Sequence, residues 1–453
     1  MTDNLLFNLN EPDHVTRWEK YPEIIAMSGQ NRTHLKTSLV QLRKNISGNG
    51  DPAALFADTR RIFSSGHACR LLMMLEKAED LTALIDQGLI ALENSGEPSS
   101  NDRRLYFGEI ACPGKLAFAF PGQGSQYVMM GRDLASVFPE ARNGFRFADT
   151  FFDPARKLTD FIFPEIGDEN DEKIRAEEAL RSTDIAQPAI GALSVSMMRV
   201  LKRFGITPAG TCGHSYGELT ALFASGCFDE RTFFELSVAR GKFMAQAGGD
   251  SDKGGMLAVK ASMDVIDDLI RQSGLDIVLA NRNSPDQGVL SGPTDDISAM
   301  KDLCRDKKIR ATLLPVAAAF HSRLVQDAAE PFAQKIASVP FLGPGLPVYS
   351  NTTGAPYPAS PDAVKKLLSS HLMNPVRFIE EIESMYADGV RIFVEIGPRA
   401  VLTGLINAIL KDRPAHAMAM DGSSGRHSGV ADLGRTLCLL SALGYPVTLT
   451  EWK

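Results

Sequence analysis

The segment KLAFAF, residues 115–120, is apolar after its first residue and is followed at once by a Pro-Gly pair. An apolar run of this length is typical of a strand buried on both faces, as in a parallel sheet. Two further short strands are expected at 210–213 and at VRIFVEI, 390–396. Helical patterns separate them, at 185–204 and 219–224. Strands that alternate with helices predict an α/β, hydrolase-like core built on a parallel sheet.

A different pattern occupies residues 255–317. Strand-like and helix-like segments follow one another there in the order βαββαβ, ending with the strand pattern ATLLPV at 311–316. That order is the split arrangement of ferredoxin-like units. We therefore expect a small ferredoxin-like subdomain, residues 251–318, inserted into a core made of residues 112–250 and 319–420.

The chain before the core is predicted to form a separate N-terminal α/β domain, residues 1–111. Its expected strands and helices, in chain order, are at 24–27, 33–44, 69–75 and 78–92. The polar stretch SGEPSSND, 95–102, is typical of a linker. After the core, the polar loop SSGRHSG and an apolar helix at 430–443 are expected within a C-terminal segment, residues 421–453.

Composition excludes several classes of protein. The net charge is −7, whereas binding to nucleic acid needs clustered Lys and Arg. The six cysteines are scattered without CxxC pairs or zinc-like spacing, which favours single thiols in a reducing compartment. The acidic N-terminal stretch lacks the apolar core of a signal peptide, and no run approaches the length of about 20 apolar residues that a membrane span needs. We expect a cytoplasmic protein that binds neither nucleic acid nor membrane.

The sequence GHSYG, residues 213–217, matches the pattern G-x-S-x-G, in which a serine occupies a sharp strand-to-helix turn. Both glycines are needed there because a Cβ would collide with the neighbouring chain or forbid the backbone angles. The turn exposes the Oγ of Ser215 and leaves the first N–H groups of the following helix free to bind an oxyanion. The pattern alone arises by chance, but its place between a predicted strand and a predicted helix favours a nucleophilic serine.

A serine hydroxyl needs a general base to attack near neutral pH. Among eight histidines, His321 in AAAFHSRLV directly follows a predicted strand, and catalytic groups are common at the ends of such elements. His214 adjoins the serine, and its side chain is expected to point away from the Oγ. His321 is therefore the candidate base, although sequence spacing alone does not establish its contact with Ser215.

Four segments occur in the order and at the spacing of the motifs of a known family. They are FAFPGQGSQYVMMG (118–131), GHSYGELTAL (213–222), AAFHSRLV (318–325) and VEIGPRAVLTGLI (394–406). The chain resembles the malonyl-CoA:acyl carrier protein transacylases and the acyltransferase domains of fatty-acid, polyketide and polyunsaturated fatty-acid synthases. NPVRF and NSPDQGVLSG agree with it too. The resemblance implies transfer of malonyl from malonyl-CoA to the phosphopantetheine thiol of an acyl carrier protein.

The resemblance implies a Ser/His dyad, with Ser215 as nucleophile and His321 as general base and then general acid. The backbone carbonyl of His371, four residues before the proline of NPV, is implied to orient the histidine. The backbone N–H groups of Gln123 and Tyr216 are implied to form the oxyanion hole. No metal or permanently bound cofactor is implied, because coenzyme A and phosphopantetheine arrive with the substrates.

The same resemblance implies a set of substrate-binding residues. Arg240 is implied to bind the free carboxylate of malonate, for which a planar guanidinium offers two parallel hydrogen bonds. Phe320, just before the base, is implied to occupy the space of an α-methyl group. Gln187, Met244 and Asn283 are implied to line the same pocket.

Two positions depart from the malonyl-selective pattern and leave a methylmalonyl-selective transferase as an alternative. Ala318 stands where malonyl-selective polyketide members often carry histidine, and Tyr216 replaces the small or aliphatic residue common after the serine. One methyl group is worth only about 1–3 kcal/mol in the discrimination of substrates. We expect malonyl as the preferred group.

Residues 22–110 resemble the linker that joins ketosynthase to acyltransferase in large synthases, and the ending LGYPVTLTEW resembles the segment that follows the transferase. A ketosynthase or a larger synthase is therefore an expected partner beside the carrier protein. Two other functions stay open. One is an acyl hydrolase that clears acyl groups from a synthase, and the other is a catalytically idle docking module.

Overall fold

The protein is described here by a computed structural model. It describes residues 21–47, 51–76, 80–93, 104–109, 112–165, 167, 170–247, 252–316 and 318–452. The acidic N-terminal stretch, the linker predicted at 95–102 and the first two residues of the helix predicted at 78–92 lie outside these ranges. Within the described ranges, no helix is both long enough and apolar enough to cross a membrane.

The strands, in chain order, are β1 Glu23–Gly29, β2 Cys69–Leu75, β3 Leu105–Gly108, β4 Lys115–Phe120, β5 Gly210–Gly213, β6 Gly255–Lys260, β7 Val278–Ser284, β8 Gln287–Gly292, β9 Arg310–Leu313, β10 Val390–Glu395 and β11 His416–Ala419. The helices are α1 Arg32–Ser47, α2 Pro52–Ile62, α3 Leu81–Glu93, α4 Arg132–Val137, α5 Pro139–Asp149, α6 Leu158–Ile162, α7 Asn170–Arg181, α8 Thr183–Arg203, α9 Gly217–Ala224, α10 Glu230–Gln246, α11 Met263–Ser273, α12 Thr294–Asp306, α13 Gln326–Ser338, α14 Pro361–Ser370, α15 Phe378–Ala387, α16 Val401–Ile409 and α17 Gly429–Ala442.

The core is a four-stranded parallel sheet in the order β11-β10-β4-β5. The three strands predicted from apolar runs are confirmed, and the α/β fold class with them. The fourth strand, β11, was missed because HAMA is short and partly exposed. In the register of β4 and β5, Phe120 pairs with Gly213, so both strands end side by side. Their carboxyl ends place the loop after β4 next to the serine turn after β5.

The inserted unit has an antiparallel sheet in the order β7-β8-β6-β9. This is the strand order of a ferredoxin-like unit, as the βαββαβ pattern predicted. The last strand ends at Leu313, three residues earlier than predicted. Pro315 lacks the N–H that would continue the ladder, which accounts for the earlier end. The exact domain boundaries proposed from the sequence stay a prediction.

Backbone hydrogen bonds tie this subdomain to the core. Val376, in the NPVRF segment, donates its N–H to the carbonyl of Ala280 and accepts from the N–H of Arg282, both at 2.8 Å. The Nε of Arg282 also lies 3.0 Å from Glu380 Oε1 in α15. These contacts hold β7 against the core and fix one side of the cleft between the two units.

The N-terminal sheet, β1-β2-β3, is antiparallel and buried on both faces. Alternate residues of a strand point to opposite faces. Accordingly, Ile25 and Met73 belong to a local apolar cluster with α1 and α3, whereas Ile24 and Met74 belong to the main core cluster. The sheet is therefore a layer between its own helices and the rest of the protein.

The C-terminal segment packs against the N-terminal sheet. Helix α17 packs on β2, and Arg70 of β2 donates from its Nε to the carbonyl of Ala442 at 3.0 Å. Trp452 is 1% exposed and donates its indole N–H to the carbonyl of Pro22 at 3.0 Å. The two ends of the described chain thus depend on each other for burial.

We predict that Trp452→Ala lowers the free energy of unfolding by about 3–5 kcal/mol, because it opens a cavity and leaves the Pro22 carbonyl without its donor. Urea denaturation followed by circular dichroism measures this loss. The control is Ile62→Ala, whose side chain is 73% exposed and whose change should stay within about 0.5 kcal/mol. A loss below about 1 kcal/mol for Trp452→Ala would contradict an integral C-terminal segment.

Candidate active site

The serine turn after β5 is enforced by steric exclusion. Ser215 has a φ of 51°, in the left-handed region that side chains rarely adopt. A Cβ at Gly213 would lie 2.1 Å from the carbonyl carbon of Gly217, and one at Gly217 would lie 1.9 Å from the carbonyl oxygen of Phe120. Only glycine fits at both places, so the strand can turn directly into α9 and present the Oγ of Ser215.

Asn351 holds this turn in place and was not identified from the sequence. Its Oδ1 accepts from the N–H of Ser215 at 2.7 Å, and its Nδ2 donates to the carbonyl of Gly213 at 2.5 Å. Nδ2 also donates to Glu381 Oε2 at 2.8 Å. The asparagine is fully buried, so these bonds replace water for the strained backbone. Its sequence setting, YSNTTG, carried no signal that we could interpret.

His321 lies against the serine, although the two residues are 106 positions apart. Its Nε2 is 2.8 Å from Ser215 Oγ, and its Nδ1 is 2.9 Å from the carbonyl oxygen of Asn374. A carbonyl oxygen can only accept, so Nδ1 carries the proton and Nε2 is free to accept from the hydroxyl. His321 also has a positive φ, 58°, so both members of the pair occupy left-handed backbone.

The orienting carbonyl differs from the one expected. The family resemblance implied the carbonyl of His371 alone, whereas the 2.9 Å hydrogen bond goes to Asn374, the residue directly before Pro375. The backbone of His371 also interacts with the His321 ring, and like the backbone of Asn374 it raises the pKa of His321. The N–H of Asn374 bonds to the carbonyl of His371 at 3.3 Å, which closes a tight turn and brings both residues to the ring.

Burial keeps the His321 imidazole neutral. It lowers the pKa of His321 to about 3, and the charges of Arg240 and His214 act in the same direction. Hydrogen bonds to the backbone of Asn374 and His371 oppose this shift without cancelling it. A neutral imidazole at 2.8 Å from a hydroxyl is competent as a general base.

The loop after β4 lies against the serine turn. A Cβ on Gly122 would come within 2.5 Å of the His214 carbonyl oxygen and 3.5 Å of the Tyr216 nitrogen. Gln123 follows in this loop, and Tyr216 is the residue after the serine. The ring of Tyr216 is buried and its hydroxyl is 2.6 Å from Ser237 Oγ, so only its backbone can serve the site. The two facing segments bring together the backbone groups that the family resemblance assigns to an oxyanion hole.

A cavity of about 240 Å³ opens at these groups, between the core and the ferredoxin-like subdomain. Most of the site residues expected from the sequence line it, namely Gln123, Gln187, Ser215, Arg240, Met244, Asn283, Phe320 and His321. Its outer part is mainly apolar, with Leu314, Val316, Val401 and Leu405 among the lining residues. The buried side chains of Tyr216 and His371 do not line it.

Arg240 is a buried cation without an anionic contact in the part of the chain that the structure describes. Its side chain is 1% exposed, and its Nη2 lies 3.5 Å from Ser215 Oγ. Its Nε and Nη1 have no hydrogen-bond partner among the described residues. Burial lowers the pKa of Arg240 to about 10, which still leaves it charged near neutral pH. An unpaired buried guanidinium in a cavity is suited to an anionic ligand.

The other predicted lining residues surround this cation. Gln187 donates weakly from Nε2 to Met244 Sδ and to Gln123 Oε1, each at 3.4 Å, and its own Oε1 has no partner among the described residues. Phe320 is 7% exposed and packs at the cavity beside the base. Asn283 also lines the cavity, but its Oδ1 already has a hydrogen-bond partner, His214 Nε2, at 2.7 Å.

Known proteins resemble this chain over most of its length. The model of the acyl transferase domain family matches residues 117–430. The malonyl CoA-acyl carrier protein transacylase of Bacillus subtilis strain 168 is 36% identical over 299 residues, which are 65% of this chain and 90% of that protein. A polyunsaturated fatty acid synthase polypeptide of a Thraustochytrium species is 29% identical over 335 residues, 71% of this chain but 12% of that protein.

Among solved structures, the acyltransferase domain from the second module of the salinomycin polyketide synthase has the same fold. It superposes with a TM-score of 0.73 at 24% identity, over 94% of both chains. The match extends well beyond residues 117–430, which the family model covers. This chain therefore belongs to the acyl transferase domain family, and it is an acyltransferase enzyme.

Proposed function

We propose that this enzyme transfers malonyl from malonyl-CoA to the phosphopantetheine thiol of an acyl carrier protein, through an ester on Ser215. The observation that carries the proposal is one cavity that joins a nucleophile–base pair to an unpaired guanidinium. The Bacillus subtilis relative, whose name describes this reaction, supports it. Fatty-acid or polyketide synthesis is the setting that the relatives favour.

In the first half-reaction, His321 Nε2 takes the proton of Ser215 Oγ as the oxygen attacks the thioester carbonyl carbon. The carbonyl oxygen becomes an oxyanion that the N–H groups of Gln123 and Tyr216 receive, and each such donor is worth about 3–4 kcal/mol in related chemistry. Collapse of the intermediate breaks the carbon–sulfur bond. His321 returns its proton to the leaving coenzyme A thiolate, which leaves the acyl ester and a neutral imidazole.

In the second half-reaction, the phosphopantetheine thiol of the carrier protein takes the place of coenzyme A. His321 removes the thiol proton, the sulfur attacks the ester carbonyl, and Ser215 leaves with the proton that the imidazole returns. The same two backbone donors receive the second oxyanion. The apolar side chains around the cavity mouth, Leu314 and Val401 among them, disfavour water as the attacking group.

Arg240 is proposed to select the acyl group by charge. A malonyl carboxylate can accept two hydrogen bonds from the guanidinium, whereas an acetyl or butyryl group would leave that cation buried and unpaired. Gln187 is close enough to line the bound carboxylate. Phe320 limits the space next to the base, which favours malonyl over its α-methyl homologue by volume.

Two other functions are less well supported. An acyl hydrolase acting on neutral acyl chains would have no use for Arg240, whose side chain is charged, buried and without an anion. An idle docking module would not need the 2.8 Å contact between Ser215 and His321. A larger synthase in the cytoplasm is the proposed context; the alignment of 94% of this chain with the acyltransferase domain of a polyketide synthase supports the synthase.

We predict that malonyl-CoA adds about 86 Da to the intact protein, the increment of a malonyl ester at a nucleophilic residue. Mass spectrometry after a short incubation measures it, and Ser215→Ala should show no increment. Addition of a carrier protein with its phosphopantetheine arm should remove the increment from the enzyme and load the carrier. An increment that persists in Ser215→Ala would refute the assignment of the nucleophile.

We predict that Arg240→Ala lowers the rate of acylation by malonyl-CoA by about 10²- to 4 × 10³-fold, since breaking a buried pair costs about 3–5 kcal/mol and each 1.4 kcal/mol is tenfold. Acylation by acetyl-CoA should rise, because the unpaired cation is gone. Single-turnover release of coenzyme A measures both rates. Arg271→Ala, whose side chain is 74% exposed, is the matched control and should match the wild type. Unchanged malonyl transfer in Arg240→Ala would contradict the selector role.

We predict that the His321 imidazole stays neutral between about pH 5 and 8, because burial, Arg240 and His214 lower its pKa to about 3. An ordinary imidazole titrates near pH 6.5. The Cε1–H resonance in histidine-labelled protein, assigned by its loss in His321→Gln, should not move across this range. In denaturant the same resonance should titrate near pH 6.5. A midpoint above about pH 5.5 in the folded protein would show that the ring is solvated.

A further inference from the structure

The side chain of His371 touches the candidate base from the side away from the cavity. Its imidazole is 1% exposed, and its ring lies edge-on against the His321 ring, with 5.4 Å between centroids and 73° between planes. The family resemblance implied a role only for the backbone of His371. The side chain is nevertheless in a position to restrict how the His321 ring can turn.

Glu218 lies on the other side of the His371 ring. Its Oε2 is 3.4 Å from His371 Nε2, and neither this oxygen nor either ring nitrogen has a hydrogen-bond partner of normal geometry among the described residues, so two buried polar groups meet there in a close contact. Its Oε1 accepts from the hydroxyl of Tyr357, which fixes the carboxyl group. Glu218 is fully buried, so the imidazole faces a carboxyl group that water does not reach.

Both ends of this contact are attached to the catalytic pair. The N–H of Glu218 donates to the carbonyl of Ser215 at 3.0 Å, in the first turn after the nucleophile. At the other end, the N–H of Asn374 bonds to the carbonyl of His371, and the carbonyl of Asn374 accepts from His321 Nδ1. The contact between His371 and Glu218 therefore closes a ring of interactions that contains Ser215 Oγ and His321 Nε2.

Burial is the largest influence on the pKa of both groups in this contact. Burial lowers the pKa of His371 well below its usual range, Arg240 and His321 act in the same direction, and the nearby Ser215 backbone opposes them. Burial raises the pKa of Glu218 to about 7. The other titratable groups that face the pair are His214, Tyr357 and Glu381. A protonated Glu218 can donate to the neutral ring, and an ionised Glu218 can accept from the ring in the tautomer that carries its hydrogen on Nε2.

We propose that the imidazole of His371 is a positioning residue, which Glu218 braces and which holds the His321 ring at hydrogen-bonding distance from Ser215 Oγ. This inference rests on the proposed function for its substrate, but the positioning concerns the reactivity of Ser215 towards any electrophile. His371 touches no reacting atom, so its loss should lower the rate constant of acylation and leave substrate binding unchanged.

Two substitutions separate the side chain from the backbone. His371→Leu keeps the buried volume and the backbone carbonyl but removes both ring nitrogens. His371→Gln keeps an amide N–H that can reach Glu218. We expect the maximal rate of acylation to fall about tenfold or more in His371→Leu, since small misplacements of catalytic groups have effects up to about 10²-fold. The KM for malonyl-CoA should stay within about twofold, and His371→Gln should restore most of the rate.

A double-mutant cycle with Glu218→Gln tests the brace. If the two residues act as one unit, the double variant loses no more rate than the more severe single variant, whereas independent effects would multiply. Melting temperatures of all variants are measured alongside, because a purely structural role would follow stability and would not be rescued by glutamine. His67→Leu, in the N-terminal domain where His67 Nδ1 is 2.9 Å from Ser28 Oγ, is the matched control and should keep the wild-type rate.

Two electrophiles make the outcomes distinguishable. Malonyl-CoA tests the proposed function in the wild type, and a small fluorophosphonate tests the reactivity of Ser215 without a carboxylate or coenzyme A. A wild type that reacts only with the fluorophosphonate would contradict malonyl transfer, and the His371 variants would still be compared with that reagent. Wild-type rates in His371→Leu with the fluorophosphonate would overturn the positioning role. If His371→Leu does not fold, His371→Asn, whose shorter amide does not reach Glu218, replaces it with the same expectations.

Discussion

The site depends on one hydrogen bond, the 2.8 Å contact between Ser215 Oγ and His321 Nε2. Both residues have positive φ, which costs about 1–3 kcal/mol each for a residue other than glycine. Such strain persists only where many contacts with the surrounding structure hold the residue in that conformation. Asn351 supplies that constraint on the serine side through three hydrogen bonds, and the turn before Pro375 supplies it on the histidine side. The stability of the surrounding core therefore maintains a reactive arrangement that its own local sequence would not hold.

The parallel sheet explains why these pieces meet. Strands β4 and β5 end side by side, and the carboxyl ends of neighbouring parallel strands are where α/β proteins build sites. Because these two strand ends are aligned, the loop that carries Gln123 lies next to the turn that carries Ser215. The ferredoxin-like unit then forms the opposite wall, and its backbone bonds to Val376 keep that wall at a fixed distance. The candidate catalytic groups lie on the core, and side chains from both units line the cavity between them.

Electrostatics gives the cavity its chemical preference. A buried cation without an anionic partner is unfavourable, so Arg240, which has no such partner among the described residues, is suited to an anionic ligand. Burial lowers the pKa of the neighbouring imidazoles His214, His321 and His371, and the charge of Arg240 lowers the pKa of His321 and of His371 further. The same buried surroundings thus keep the candidate base neutral, while Arg240 stays charged near neutral pH.

The sequence by itself determined the features that depend on near neighbours along the chain. Apolar runs gave the central strands, alternating patterns gave the ferredoxin-like unit, and the glycines around Ser215 followed from steric exclusion at a turn. Only the tertiary structure decided which distant groups meet. The contact of His321 with Ser215, the support from Asn351, the choice of the Asn374 carbonyl and the burial of Trp452 against Pro22 all join residues far apart in sequence. Such contacts depend on how whole helices and strands pack against one another, and the pattern of neighbouring residues along the chain does not determine that packing.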